Sequence, residues 1–429
     1  MEREVAASSD NNDIVARLIM GLASPVALTS TVIGAQTADP LIMRQRKDLE
    51  GMNINQIKIQ NRKRVFKEIS THDSTTRIDV SRKVKLSVAT VSSIIEEFVK
   101  TGMIVEVKDN KRTIGRKPNR LIFQPDARKM ICIDLTSKQF SFAVKNLALI
   151  SEKVVFYEYD NALSYERNLI QFCKQIQEVV EPEFEGQRLI GIGISVPGPY
   201  NQRKDRVTNE LISEIGELSI HRFFSEQFLL PIQIDQDVKY AAKAEVQHID
   251  HYESKSVFFM YLGEGVGGAI SINNDIYGGA QEFAGEIGQM IVSDGRNLEQ
   301  LISWKRLIAV ARSHFAPEEV TPEFLLTRWS EKDAWLLKEI DAVISHISIA
   351  VINTVWLLNP HIIIIGGAYN IFGTHFIDKL KGKLTGRFPE YLGDLQIILS
   401  HYEESSALVG AGSMVREEWL DNFSFGNAQ

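Results

Sequence analysis

Leu86-Ser87-Val88-Ala89-Thr90-Val91-Ser92-Ser93-Ile94-Ile95-Glu96-Glu97-Phe98-Val99 reads as an amphipathic helix. Val91, Ile94, Ile95, Phe98 and Val99 recur at helical spacing, and Ser87 stands where an N-cap belongs. A preceding helical stretch, Arg77 to Val84, joins it through Lys85-Leu86. That is the spacing of a helix-turn-helix whose second helix enters a DNA major groove. Lys85 departs from the Gly or Asn that many such turns carry. Downstream, Gly102 is placed to stop the helix, Met103 to Lys108 alternates as a strand, Asp109-Asn110 turns, and Arg112 to Phe123 returns. The pattern predicts a wing, with Gly115-Arg116-Lys117-Pro118 as a stiff cationic run suited to phosphates or a narrow minor groove.

Charge points the same way. Residues 52 to 129 hold 18 Lys and Arg against 8 Asp and Glu, in a chain of formal net charge −7. A basic helix is often no more than a solvated face, but the charge surplus, the helix pair and the wing together predict double-stranded DNA as a partner. Ser87, Val88, Ala89, Thr90, Ser92 and Ser93 are the expected reading positions at the start of the second helix. Arg62 and Arg64, with Lys63, are expected to contact the phosphate backbone from a first helix over Gln56 to Ser70, and Arg116, Lys117 and Arg120 from the wing.

The other 300 residues differ in kind. Residues 130 to 429 carry 25 basic and 40 acidic side chains and would be repelled by DNA. Binding and sensing are therefore expected to be physically separate. At 429 residues with 44% hydrophobic and 24% charged composition, the chain has room for two or three domains. Two cysteines, Cys132 and Cys173, support neither a disulfide framework nor a four-cysteine metal site, which suits a reducing cytoplasm. Leu18 to Ala38 lacks charges but is too polar for a convincing membrane span, and Met1-Glu2-Arg3-Glu4 lacks the basic start of a signal peptide. Residues 1–51 are read as a disordered or non-native extension, Met43 or Met52 being possible natural starts. Ala334 to Leu358 is apolar, yet Lys338, Glu339, Asp341 and His346 interrupt it, so a buried domain helix is expected and no membrane partner.

Strand and helix signals alternate through the body. Met130 to Asp134, Phe140 to Lys145, Leu189 to Ser195, Ile232 to Ile234, Val257 to Leu262, Ala269 to Asn273 and Ile362 to Ile365 read as strands. Tyr165 to Val180 and Val238 to Gln247 read as helices. Several strands open into glycine turns, each by itself as compatible with a tight hairpin as with a ligand cradle. Their order is more specific. Gly191-Ile192-Gly193-Ile194-Ser195-Val196-Pro197-Gly198-Pro199, then Asp235-Gln236-Asp237, then Leu262-Gly263-Glu264-Gly265-Val266-Gly267-Gly268, then Ala284-Gly285-Glu286-Ile287-Gly288, then Asn359-Pro360 before Ile365-Gly366-Gly367, resembles the ROK family of repressors and sugar kinases. Gly410-Ala411-Gly412 looks like that family's C-terminal glycine turn. The resemblance spans 52 to 429, and the winged helix is similar to the repressor branch, the xylose and N-acetylglucosamine repressors.

What the resemblance implies is an α/β chain: an N-terminal winged helix-turn-helix at 52–129, then a two-lobed actin-like ATPase (ribonuclease H-like) ROK domain. Lobe 1 covers 130–250 and lobe 2 covers 251–429, with the C-terminal helix returning to lobe 1. By the same resemblance Asp237 matches the family's catalytic and sugar-binding aspartate, Gln236 the asparagine before it, Glu286 a hydroxyl acceptor, Asn209 a cleft asparagine and Glu299 a second sugar-contacting glutamate. Gln289 replaces the motif's histidine. Carboxylates and amides suit sugar hydroxyls; Asp237 could instead be a helix-start carboxylate favoured by the dipole, and Glu286 an exposed turn residue. The departures matter too. Asp134 is followed by Leu135-Thr136-Ser137-Lys138 instead of a glycine-rich phosphate loop, and Asp294-Gly295-Arg296-Asn297-Leu298-Glu299 runs across the place of the family's zinc knuckle. No metal, no cofactor and no catalytic residue are expected. The reading is a cytoplasmic, sugar-released repressor working as a homodimer or homotetramer. The alternatives are an ATP-dependent sugar kinase with an accessory DNA-binding domain and a repressor controlled by a protein partner.

Overall fold

The structure is a computed structural model that describes residues 54–108, 119–136, 139–185, 188–209, 212–249, 252–389, 393–402 and 406–423. The extension at 1–51 and the wing residues Arg116 and Lys117 lie outside the described residues.

The head opens with α1 (Ile54–Ser70), α2 (Arg77–Val84) and α3 (Val88–Lys100). Thr76 caps α2 by accepting from the Asp79 amide, and Ser87 caps α3 by accepting from the Thr90 amide. Between them Lys85 takes the left-handed conformation at φ 54°, so the turn is built without the residue that adopts it most easily. The end of α3 is a Schellman motif. Gly102, at φ 75°, donates to the Val99 carbonyl, and Met103 donates to the Phe98 carbonyl. β1 (Ile104–Val107) and β2 (Arg120–Phe123) then pair antiparallel, with Thr75 bridging to Leu121 as a third element.

Two five-stranded sheets of the same topology follow. The first runs β5 (Ser151–Glu158), β4 (Gln139–Asn146), β3 (Lys129–Leu135), β6 (Leu189–Val196), β7 (Ile232–Gln236), with α4 (Tyr165–Glu185) crossing between β5 and β6. The second runs β10 (Asp275–Tyr277), β9 (Val266–Ile272), β8 (Ser256–Leu262), β11 (Ile362–Gly366), β12 (Gln396–Leu399). In each, three strands form an antiparallel meander and two more add in parallel. The central parallel strands β6 and β11 are apolar nearly throughout, as strands covered on both faces must be: β11 reads Ile-Ile-Ile-Ile-Gly and every residue is buried.

α5 (Asp237–Val246) leaves the first sheet and packs on β8 and β9 of the second. The second lobe also holds α6 (Leu298–Ile302), α7 (Trp304–His314), α8 (Pro322–Ser330), α9 (Ala334–Leu358) and α10 (Gly373–Leu384). Among the described residues α9 alone is long and apolar enough to cross a membrane. Leu336, Ile340, Ile344, Ile347 and Val351 bury it in the lobe's core, as expected of a domain helix.

The last helix, α11 (Ser406–Asn422), lies on β3, β6 and α5. Here the expectation of a C-terminal glycine turn is corrected. Gly410, Ala411 and Gly412 are buried inside the helix, because a Cβ at 410 would collide with the Tyr240 carbonyl and one at Gly193 with that of Ala411. These glycines let a helix sit directly on another helix and on a strand.

The expected separation of head and body is corrected as well. Val65, Ile69, Ile95, Phe98 and Leu121 of the head share one apolar cluster with Met130, Cys132 and Ala143 of lobe 1 and with Leu408, Ala411, Val415 and Leu420 of α11. Residues 58–429 form one compact unit.

Candidate functional site

On the head, Ser87, Val88, Ala89, Thr90 and Ser93 are exposed and Ser92 is partly buried. The N-terminal turns of α3 therefore face outward, where a reading helix must present its side chains. Arg77 holds this surface in place. Its guanidinium makes a bidentate pair with Glu106 of β1 at 3.2 and 3.1 Å, donates to the Ser92 carbonyl at 3.2 Å and lies 3.8 Å from Glu96. One planar fork thus joins α2, α3 and the wing, and it holds the Glu106 carboxyl below its usual range. Arg120 bonds Ser74.

Two of the expected phosphate contacts are corrected. Arg62, 12% exposed, pairs with Glu97 at 3.3 Å and donates to the Leu420 carbonyl, and Lys63 pairs with Asp421 at 2.6 Å. Both point inward at α3 and α11, where the carboxylates of Glu97 and Asp421 demand cations that the basic pattern alone assigned to DNA. Arg64 is exposed but bonds the Val84 carbonyl at the end of α2. Sequence reasoning passed over Arg82, Lys83 and Lys85. They are exposed around the turn, and their clustering beside it was the available signal.

The second candidate site is a row of carboxylates between the lobes. Strand register sets Asp134, Ser195 and Asp235 side by side at the ends of β3, β6 and β7. Gln236 ends β7 and Asp237 opens α5, the chain turning so that the Asp237 carboxylate accepts from the Val238 amide at 2.7 Å. Across the cleft, Gln236 donates to Glu286 at 2.8 Å, and Lys239, 1% exposed, donates to Glu282 at 2.8 Å while lying 3.4 Å from Asp235. Glu299, on α6, accepts from the Val266 amide at 2.8 Å. Asn209 donates to the Pro197 carbonyl at 2.7 Å and accepts from the Ile212 amide at 2.8 Å, closing the loop after β6.

Gln289 is exposed and accepts from Asn297, so it points along the following hairpin. That hairpin, Ile291–Ser293 with Arg296–Asn297, turns on Asp294 and Gly295, both at positive φ as a tight hairpin turn wants. It fills the stretch where the family resemblance would have a zinc knuckle. No grouping of His, Cys, Asp and Glu among the described residues is suited to a metal.

Crowded carboxylates in a buried place hold protons. Burial, with the charges of Asp134 and Glu286 adding to it, pushes Asp237 up to about 7, and burial pushes Asp134 up to about 6. Glu286 is raised by burial, and Glu299 adds to the effect. Gln236 is 4% exposed, and its side-chain oxygen has no hydrogen-bond partner. A buried acceptor without a donor costs about 1–3 kcal/mol, which a ligand hydroxyl would relieve. The cleft therefore offers acceptors to a donor-rich ligand. Cys132 and Cys173 are buried thiols pushed up to about 12, without nucleophilic character. Lys239 was also missed, although its i,i+4 spacing from Asp235 across the start of a helix would have found it.

A model of the ROK family matches residues 130–418. A xylose repressor of Caldicellulosiruptor bescii is 25% identical over 387 residues, 84% of this chain and 96% of its own. The xylose repressor of Bacillus subtilis is 21% identical over 381 residues, 85% of this chain and 97% of its own. Among solved structures, a ROK family transcriptional regulator homologous to the Escherichia coli Mlc protein superposes with a TM-score of 0.70 at 19% identity, covering 85% of this chain and 97% of that one. A ROK glucokinase from Streptomyces griseus, solved with glucose and AMPPNP, gives 0.55 at 18% identity over 67% of this chain and 99% of its own.

Proposed function

The chain belongs to the ROK family, and from that membership we propose that it is a sugar-responsive transcriptional repressor. The observation that carries the reading is a winged head with an exposed reading helix on the same compact unit as the cluster of acceptors at Gln236, Asp237 and Glu286. The exposed residues Ser87, Val88, Ala89, Thr90 and Ser93, with Ser92, Arg120 and the wing residues Arg116 and Lys117, meet operator DNA in the cytoplasm. Two copies at least are needed for a palindromic site with half-sites one helical turn apart. A sugar enters between Asp237, Gln236, Glu286 and Glu299, with Asn209 shaping the near wall and Gln289 at the rim. Its hydroxyls donate to the carboxylates and to the unpaired Gln236 oxygen. The sugar releases the operator only through a difference in affinity for the two lobe arrangements.

One observation favours a second reading, a sugar kinase carrying a DNA-binding head: Asp237, held near 7, lies in the range of a general base. Phosphoryl transfer depends mainly on cradling phosphates, and the Leu-Thr-Ser-Lys run after Asp134 offers no glycine for that. We therefore place the chain outside the enzymes.

The test is fluorescence anisotropy of the full chain on DNA from upstream of its own gene and of neighbouring sugar genes. Titrations run at two salt concentrations, with and without D-xylose, D-glucose and N-acetylglucosamine. Salt-sensitive binding weakened by one sugar is the expected result. Absence of specific DNA binding, together with sugar-dependent ATP consumption, would move the assignment to the kinase.

A further inference from the structure

The chain passes between the lobes twice, from α5 to β8 and from β12 to α11, and the head touches the first passage at Tyr252 and the helix that follows the second. At the first, Lys67 of α1 sits 3.9 Å over the ring of Tyr252. At the second, α11 supplies the grip. Arg416 lies over Phe66, Leu420 accepts from Arg62, Asp421 pairs with Lys63, and Phe423 packs edge-on against Phe98.

The passages are also tied to each other. His248 and His401 stack at 4.0 Å, His248 contacts the Tyr402 hydroxyl at 2.8 Å, and Glu245 accepts from the His401 and Tyr402 amides at 2.8 and 2.9 Å. Gln247 reaches Ser413 and Arg416. α5 begins at Asp237 in the cleft and ends at this junction, a helix of 10 residues and so about 15 Å long.

We infer that Lys67 and Tyr252 are positioning residues that make the head and the interlobe hinge move as one. The inference rests on the function proposed above for its sugar and operator, and on geometry alone for the attachment. α11 packs on lobe 1 and fixes one side of the head there. The Lys67–Tyr252 contact fixes the other side to a segment that must rotate when the lobes close. A body held at one fixed and one rotating point turns with the rotation, and the reading helix α3 turns with it. Packed elements transmit such shifts because their contacts are bistable rather than continuously deformable. The linkage must be reciprocal: operator DNA changes sugar affinity by the factor by which sugar changes operator affinity.

The test uses the full chain and three variants: Lys67→Gln, Tyr252→Leu and Lys67→Arg, the last keeping a cation over the ring. Without any ligand, Lys67→Gln should speed amide exchange at residues 245–249 and 400–402 as well as in α1, and Lys67→Arg should restore protection. Exchange changes confined to α1 would overturn the attachment. With operator DNA and D-xylose, Lys67→Gln and Tyr252→Leu should each leave operator affinity and sugar affinity within about threefold of the parent. The sugar-induced change in operator affinity should fall to within about twofold of none, from the roughly 5- to 150-fold usual for coupled sites. An undiminished change would overturn the inference. A parent chain indifferent to every sugar or to DNA would instead refute the proposed function, while the exchange result still decides the attachment.

Discussion

Replacing Asp237 by Asn should make the protein more stable at pH 8 while removing its response to sugar. The fold raises this carboxyl from 3.8 to about 7, so between those values the folded state binds a proton that the unfolded chain releases. Stability therefore falls as pH rises through that window and is flat above it. A shift of about three units corresponds to roughly 4 kcal/mol. That figure is an upper bound, since Asp134 and Glu286 share the titration and take up part of it. An amide of the same shape has no charge to bury, so the expected gain is about 1–3 kcal/mol at pH 8 and near zero at pH 4. Urea denaturation at pH 4, 6 and 8 reads it directly: the loss of stability from pH 4 to pH 8 should be smaller in the variant by that amount. Equal losses in parent and variant would refute the idea that the cleft strains to hold this charge. The same experiment distinguishes a binding group from a helix-start carboxylate favoured by the dipole, because removing the latter would destabilise the protein at pH 8.

Other outcomes follow from the same contacts. Gly410→Ala should cost about 1–3 kcal/mol, the usual cost of overpacking, because its Cβ meets the Tyr240 carbonyl; thermal unfolding of the variant at the parent's midpoint would contradict this. Arg77→Lys keeps the charge but loses the fork to Glu106 and Ser92, so operator affinity should drop about tenfold in gel shifts while calorimetric sugar binding stays constant. Arg82→Ala should lower operator affinity evenly across sequences and reduce the salt slope by about one, whereas Ser93→Ala should alter the preferred sequence. Lys85→Asn should stabilise the head by about 0.5–1 kcal/mol, since asparagine enters the left-handed region more readily; a chemical melt showing no gain would count against strain at that turn.

What the sequence made legible was local. The lengths of α2 and α3, the two-residue turn, Ser87 and Gly102 follow from capping and periodicity, which act over four residues. Strand periodicity marked most of the body's strands, while the two lobes came from the family resemblance that the order of glycine turns carries. What stayed hidden depends on partners far along the chain. Arg62 and Lys63 looked like phosphate contacts because nothing near them in sequence announces Glu97 or Asp421. Gly410 looked like a turn residue because a glycine needed for close approach and one needed for positive φ are spelled alike. In the cleft, the residue types at 236, 237, 286 and 299 were readable. The reach of Gln236 to Glu286 and of Lys239 to Glu282 was not, since it is set by how the lobes meet.

The apolar cluster that joins the head to α11 has a consequence for biosynthesis. A ribosome delivers the head first, but Arg62 finds its acceptor at Leu420, 358 residues later, and Leu408, Val415 and Leu420 complete the core around Phe66 and Phe98. Until the last helix leaves the exit tunnel, the nascent head lacks part of its apolar cover, in contrast to N-terminal domains that fold as units during synthesis. A truncated product, ending anywhere before α11, would be left with an unfinished head. The first domain to leave the ribosome is thus among the last to complete its core.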